Sequence, residues 1–388
     1  MRNPIGGLAA AIIIFLVIGT VACGSDEPTA SNVTPTVPDT DGTGGAGDDN
    51  GGTVNTSLWT ISEKEIRDGG PGKDGIPSID NPQFNTDWNS HGYLRDHDLV
   101  VAVWPEQSSS PFVYPHPILD WHEVVNNSEG GASWSVSYCP LTGTAVTIDR
   151  ERFAGTSFGV SGLLYRNNLI MYDRETDSNW AQIYMECVQG QRSGSMIEPL
   201  FYLETTVATA KKMFPSQVKI LTTVTGNSAP YGSYPYGTYR TSTGLLFNMN
   251  VDGRLHPKAR VLGVLTGPGR GSAARAYPIN DAATGVEVIN DEVGGVPLVV
   301  IRSGIDNFAV AFSRLHPQLG ELTFEAATGA ADIYPLNIRD QETGTLWNIL
   351  GEALEGQLVG SSLDRPRAMT AYWFAWAGFY GQTDIYSP

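Results

Sequence analysis

The chain has 388 residues, 41% of them hydrophobic, which suffices for two ordinary domains with real cores. Twenty-four Lys and Arg stand against 41 Asp and Glu, a formal charge of −17. That balance repels a nucleic-acid backbone, no local basic patch offsets it, and nucleic-acid binding is excluded as an expectation.

Residues 1–23 place one arginine before an apolar run from Leu8 to Ile18 and small residues that end on Cys23. The run is short for a membrane span, so the stretch reads as an export signal of lipoprotein type, with Cys23 the residue to be lipidated. Thr20 stands where such signals usually carry leucine, so ordinary cleavage or retention as an anchor stays open. Residues 24–57 are Gly, Thr, Asp, Pro and Asn with almost no large apolar side chain. Nothing there repays the entropy of ordering, and a disordered tether is expected. The expected product is an exported, extracytoplasmic protein held at a membrane by its N-terminal lipid or signal anchor.

Residues 58–98 are rich in Gly and Pro and read as an irregular lead-in. Leu99–Trp104 and Pro111–Pro115 read as strands, Ile118–Asn126 as a short helix, and Ser133–Tyr138 and Ala145–Ile148 as strands around a turn at Cys139-Pro-Leu-Thr-Gly. Short strands follow at Thr156–Val160, Ser161–Tyr165 and Leu169–Tyr172. The fold class is therefore mainly β with short helices.

The order then recurs. Tyr114, Gly131, Trp180 and Gly190 are answered by Tyr277, Gly295, Trp347 and Gly356, at offsets of 163 to 167 residues. Asp173-Arg-Glu-Thr is answered by Asp340-Gln-Glu-Thr. Two internally related β-rich units are expected, 58–225 and 259–388, joined by a Tyr/Gly-rich connector, 226–258. The connector's tyrosines read as a seal between the units, or as a ring-lined binding loop.

A duplicated fold lets one copy act as a control for the other. His116, Asp120, Trp121, His122, Glu123, Tyr138, Cys139 and Thr142 have no like residue in the second copy, where Asn280, Asp281, Ala282 and Ala283 stand near the Asp120–Glu123 position. Three readings of that set stay open. His116, His122 and Cys139 offer two imidazoles and a thiolate suited to copper or zinc, in a metal-binding or redox-associated role. Cys139 is alternatively a nucleophile activated by His122, with Glu123 orienting the ring. In the third reading the protein binds a ligand without catalysis, through Tyr165, Asn168 and Trp180. Cys139 and Cys187 are the only cysteines after the signal, in a compartment that permits a disulfide between them. No phosphate-binding loop, zinc-protease helix or serine-hydrolase elbow is present.

The motifs Asp120-Trp-His-Glu-Val-Val-Asn126, Tyr138-Cys-Pro-Leu-Thr-Gly143, Phe158-Gly-Val-Ser-Gly-Leu-Leu-Tyr165, Met171-Tyr-Asp-Arg-Glu-Thr176 and Trp373-Phe-Ala-Trp376 together resemble the DUF3179 family of exported or membrane-attached proteins. The resemblance implies no established activity. Members often carry Cys-Pro-Leu-Cys where this chain has Cys139-Pro-Leu-Thr142, and a Gly-Glu-Ala type segment where it has Met185-Glu-Cys187. On that comparison Cys187 looks like a local replacement that supplies Cys139 with a partner.

Overall fold

A computed structural model describes residues 58–387, apart from 106, 107, 109, 227, 268 and 280–284. The expected signal, the tether, Cys23 and the Asn280–Ala283 counterpart segment lie outside the described residues. Within them the chain is mostly strand, arranged in many small sheets with three short α-helices, as its β-branched runs and frequent Gly and Pro turns require. No described helix is long and apolar enough to cross a membrane.

In the first half, strand Leu99–Val103 pairs antiparallel with both Phe112–Pro115 and Tyr202–Thr206, and Lys219–Leu221 joins parallel to Phe112–Pro115. A three-stranded sheet follows: Val124–Glu129, Ala132–Cys139 and Thr144–Asp149. A last sheet runs Phe158–Tyr165, Asn168–Asp173, Asn179–Ala181 and Glu186–Gln189, with Ile66–Asp68 on its outer edge.

The second half shows the same strand order. Arg260–Thr266 lies between Arg367–Tyr372 and Ala273–Pro278, and Asp384–Ile385 joins in parallel. Val286–Val293, Val296–Ser303 and Phe308–Ser313 form the three-stranded sheet, and Phe324–Ala326, Ile338–Asp340, Leu346–Trp347 and Ala353–Glu355 the last one. One polar knot occurs in each half. Asp173 accepts from the Thr176 backbone N–H and hydroxyl at 2.8 and 2.9 Å and from Trp180 Nε1 at 2.9 Å. Asp340 accepts from Thr343 at 2.6 and 2.7 Å and from Trp347 Nε1 at 2.9 Å.

The cores do not divide where the sequence does. Helix α1 spans His116–His122, α2 spans Val207–Met213 and α3 spans Trp373–Phe379. Val207, Ala210 and Met213 of α2, in the first half, are buried in one cluster with Val299, Phe312, Ile338 and Trp347 of the second. Reciprocally, Trp373, Phe374 and Trp376 of α3 are buried with Val160, Leu169, Trp180 and Val188 of the first half. Gly263 makes room for this packing, since a Cβ there would lie 2.2 Å from the Trp376 ring. Each terminal helix thus completes the core of the other half, and the apolar surface that drives folding is buried only when both are present.

Candidate functional site

Pro115 precedes α1 and Pro117 lies in its first turn, where a fixed φ and a missing N–H are tolerated. The helix begins two residues earlier than the expected Ile118 and ends at His122, because Glu123 takes a left-handed φ of 56° and strand Val124–Glu129 begins immediately. The Glu123 N–H still reaches Leu119 O at 2.8 Å, and its carbonyl accepts from Tyr138 N at 2.7 Å. A non-glycine residue in this conformation costs about 1–2 kcal/mol, and such strain gathers at functional positions. Here it turns the Glu123 side chain inward.

The Glu123 residue is 5% exposed, and no described group hydrogen-bonds its carboxyl. It lines a pocket of about 60 Å³ whose other walls include Leu141, Val160, Leu164, Leu169, Leu246 and the ring of Tyr236. Burial, reinforced by the nearby Asp120 carboxyl, pushes its pKa up to about 8. It is therefore a neutral acid at pH 7, able to donate a hydrogen bond into an apolar space. Asp120 is 4% exposed; burial raises its pKa to about 7 against the pull of Arg240, whose Nη2 donates to it at 2.5 Å.

The connector forms the roof. Trp121 Nε1 donates to Ser233 O at 3.0 Å, Tyr234 OH donates to Pro140 O at 3.2 Å, and the Arg240 guanidinium lies 3.9 Å from the Tyr234 ring centroid. Lys258 fastens the roof from behind, donating to Tyr239 O at 3.0 Å and Gly244 O at 2.9 Å. Burial lowers its pKa to about 8.

Of the catalytic set expected from sequence, Glu123 and Cys139 come together and His122 does not join them. Both His122 nitrogens are engaged, Nδ1 with Pro77 O at 2.8 Å and Nε2 with Tyr231 OH at 2.6 Å. Cys139 is buried with its Sγ 3.7 Å from Asn167 O. Burial, then the Glu123 carboxyl, raises its pKa to about 11, the reverse of what an activated thiolate needs. His116 lies elsewhere, its ring against Tyr138 at 4.2 Å and its Nε2 3.5 Å from Glu204 Oε2, which also takes Arg260 Nη2 at 3.0 Å. Burial foremost, then Arg260 and Arg240, holds His116 neutral.

The expected tri-ligand copper or zinc site of His116, His122 and Cys139 is not formed: among the described residues no three His, Cys, Asp or Glu side chains are grouped to hold an ion. The expected bridge is absent too, because Cys139 and Cys187 are both free, the second turned to Gln189 O at 3.5 Å. Nor do Tyr165, Asn168 and Trp180 line an open groove. Trp180 is fully buried on Asp173, Tyr165 is 4% exposed and bonded to Glu65 at 3.2 Å, and Asn168 is tied to Thr142, Gln182 and Ile183.

Arg240 and Lys258, which belong to this region, and Glu204 and Arg260, which surround His116, were not singled out by sequence. Their signal was charge in apolar surroundings: Glu204 sits inside the strand Tyr-Leu-Glu-Thr-Thr, and Arg260 heads Arg-Val-Leu-Gly-Val. A family model described as "Protein of unknown function (DUF3179)" matches residues 73–383. Comparison with curated proteins and with solved structures gives no match.

Proposed function

The chain belongs to the DUF3179 family of proteins of unknown function, and from that premise we propose that it is an extracytoplasmic protein that binds a small, largely apolar molecule bearing a hydrogen-bond acceptor. The binding place is the pocket under Tyr236, and the group that recognises the acceptor is the neutral carboxyl of Glu123. The apolar run of residues 8–18 and Cys23, read as an export signal and anchor, support the location, and the recurring strand order supports reading the halves as copies of one unit.

The observation that carries this reading is a nearly buried carboxyl with no hydrogen-bond partner among the described residues, facing an otherwise apolar pocket. Burying such a group unpaired costs about 1–3 kcal/mol, which a ligand's acceptor offsets. Proton exchange with the bound molecule is the second reading. It is favoured by Asp120 three residues earlier, since both carboxyls are shifted toward neutral pH, where acid–base catalysts work best. Cysteine nucleophilicity and metal binding draw no support from the geometry, with Cys139 held as a thiol and the histidines apart.

The test uses diisopropylcarbodiimide, an apolar reagent that attacks protonated carboxyls, on the folded protein. Peptide mapping is expected to find the adduct on Glu123, to lose it as the pH rises through about 8, and to find it slowed by cyclopentanone, a small apolar ketone. Modification confined to exposed carboxyls, or a rate on Glu123 indifferent to cyclopentanone, overturns the reading.

A further inference from the structure

A second place in the molecule joins weakly paired charge to an apolar surface. Two adjoining cavities of about 160 and about 410 Å³ share Glu198, Arg365, Pro366 and Arg367. They lie where the edge strand Tyr202–Thr206 of the first half meets Phe308–Ser313 and Arg367–Tyr372 of the second. Leu262, Val310 and Met369 wall the smaller one, and Leu265, Val296 and Leu298 the larger.

Arg365 stacks 3.9 Å from the Phe201 ring centroid and donates from Nη2 to Leu350 O at 2.9 Å. No carboxylate among the described residues forms an ion pair with it, although Glu352 is near enough to act on its charge and Glu198 and Asp364 share the lining of the larger cavity. Burial of its guanidinium, opposed by Glu352, pushes its pKa down to about 10, although the residue as a whole is exposed. Arg367 is loosely held, 3.4 Å from Ile197 O and 3.7 Å from Glu198, whose side chain is half exposed. The first half has neither charge. Pro199 and Phe201 stand at the same distances before Thr206, the residue that precedes α2, as Arg365 and Arg367 do before Tyr372, which precedes α3.

We propose that this cleft is a binding site for a small organic carboxylate with a short apolar tail. The carboxylate lies on the guanidiniums of Arg365 and Arg367, whose planar forks suit it. The tail lies along Leu262 and Met369. The site is separate from the Glu123 pocket and does not rest on the reading given to it.

Calorimetric titration of the intact protein with hexanoate tests this, with hexanol as the probe of the same tail without charge. One hexanoate is expected per chain, about tenfold tighter than hexanol, and weakened about tenfold by Arg365→Gln and by Arg367→Gln, with hexanol unaffected. Glu123→Gln is expected to leave hexanoate binding unchanged. Absence of hexanoate binding, equal affinity for hexanoate and hexanol, or arginine variants that bind hexanoate like the parent would each overturn the proposal. Should Arg365→Gln lose its fold with the Leu350 contact, Arg367→Gln, which leaves that contact in place, decides alone.

Discussion

The two halves agree in their aspartate and asparagine knots and differ in how one glutamate is paired. At the turns after Asn168–Asp173 and Ile338–Asp340, the same aspartate, threonine and tryptophan make the same bonds, with both carboxyls fully buried. Asn126 exchanges two hydrogen bonds with the Phe158 backbone at 2.8 and 2.9 Å, and Asn290 does so with Phe324 at 2.7 and 2.8 Å. By strand register Tyr138 corresponds to Arg302, since Tyr138 faces Ala145 and Arg302 faces Ala309. Arg302 is buried and matched, by Glu287 at 2.8 Å and by Pro278 O at 2.6 Å. By the same register Glu123 stands where Glu287 does, so the second half pairs its glutamate with Arg302 whereas Tyr138 offers Glu123 no such match. Groups satisfied alike in both halves read as scaffold, whereas the Glu123 carboxyl, left without the arginine that its counterpart has, is where binding energy for a ligand is held in reserve.

The comparison can be broken most severely by separating its terms. Because α2 and α3 each complete the core of the opposite half, residues 58–225 expressed alone are expected to lack dispersed amide resonances and a cooperative unfolding transition. A folded first half would show that the shared cores are dispensable. Next in size are Asp173→Ala and Asp340→Ala. Each leaves a buried tryptophan N–H and a threonine without their acceptor, so each is expected to lower stability by ~3 kcal/mol in urea unfolding. Markedly unequal losses would mean that the two knots are alike in geometry only.

A pH-dependent effect is expected at Glu123. Its folded pKa of about 8 stands above the ordinary 4.5, so between those values the native state holds a proton that the unfolded chain has lost. Stability therefore falls as pH rises across that window and levels off above it, by at most ~1.4 kcal/mol per pH unit. Glu123→Gln removes this slope, matching the parent at low pH and exceeding it at high pH. The smallest effect concerns the thiols. With pKa values raised to about 11 and about 12 by burial, Cys139 and Cys187 are expected to resist iodoacetamide at neutral pH in the folded protein and to react once it is unfolded. Rapid modification of Cys139 in the native state would return it to the list of nucleophiles.

Much of this architecture was legible. The β-branched runs at Leu99–Val103 and Ala132–Cys139, and the Asp-x-x-Thr turns followed by tryptophan, fix local structure within a few residues, so their period and spacing show in the sequence. The helical pattern over Ile118–Asn126 misled, because the left-handed Glu123 breaks the helix and no glycine or asparagine marks the break. Proximity of His122 to Cys139 was inferred from residue type alone; the hydrogen bonds of His122 to Pro77 and Tyr231, 45 and 109 residues away, leave no local trace. The exchange of helices between halves is likewise long-range, as is Arg240 reaching Asp120 across 120 residues. Sequence marked the segment, and Cys139, answered in register by Ser303, is peculiar to the first half; Glu123 is not, because Glu287 holds the same register position in the second.

The protonation of Glu123 bears most directly on the whole account. A difference infrared spectrum between the parent and Glu123→Gln is expected to contain one protonated-carboxyl C=O band at neutral pH, lost to the carboxylate form as the pH passes about 8. A spectrum with only ionised carboxylate at neutral pH would contradict it.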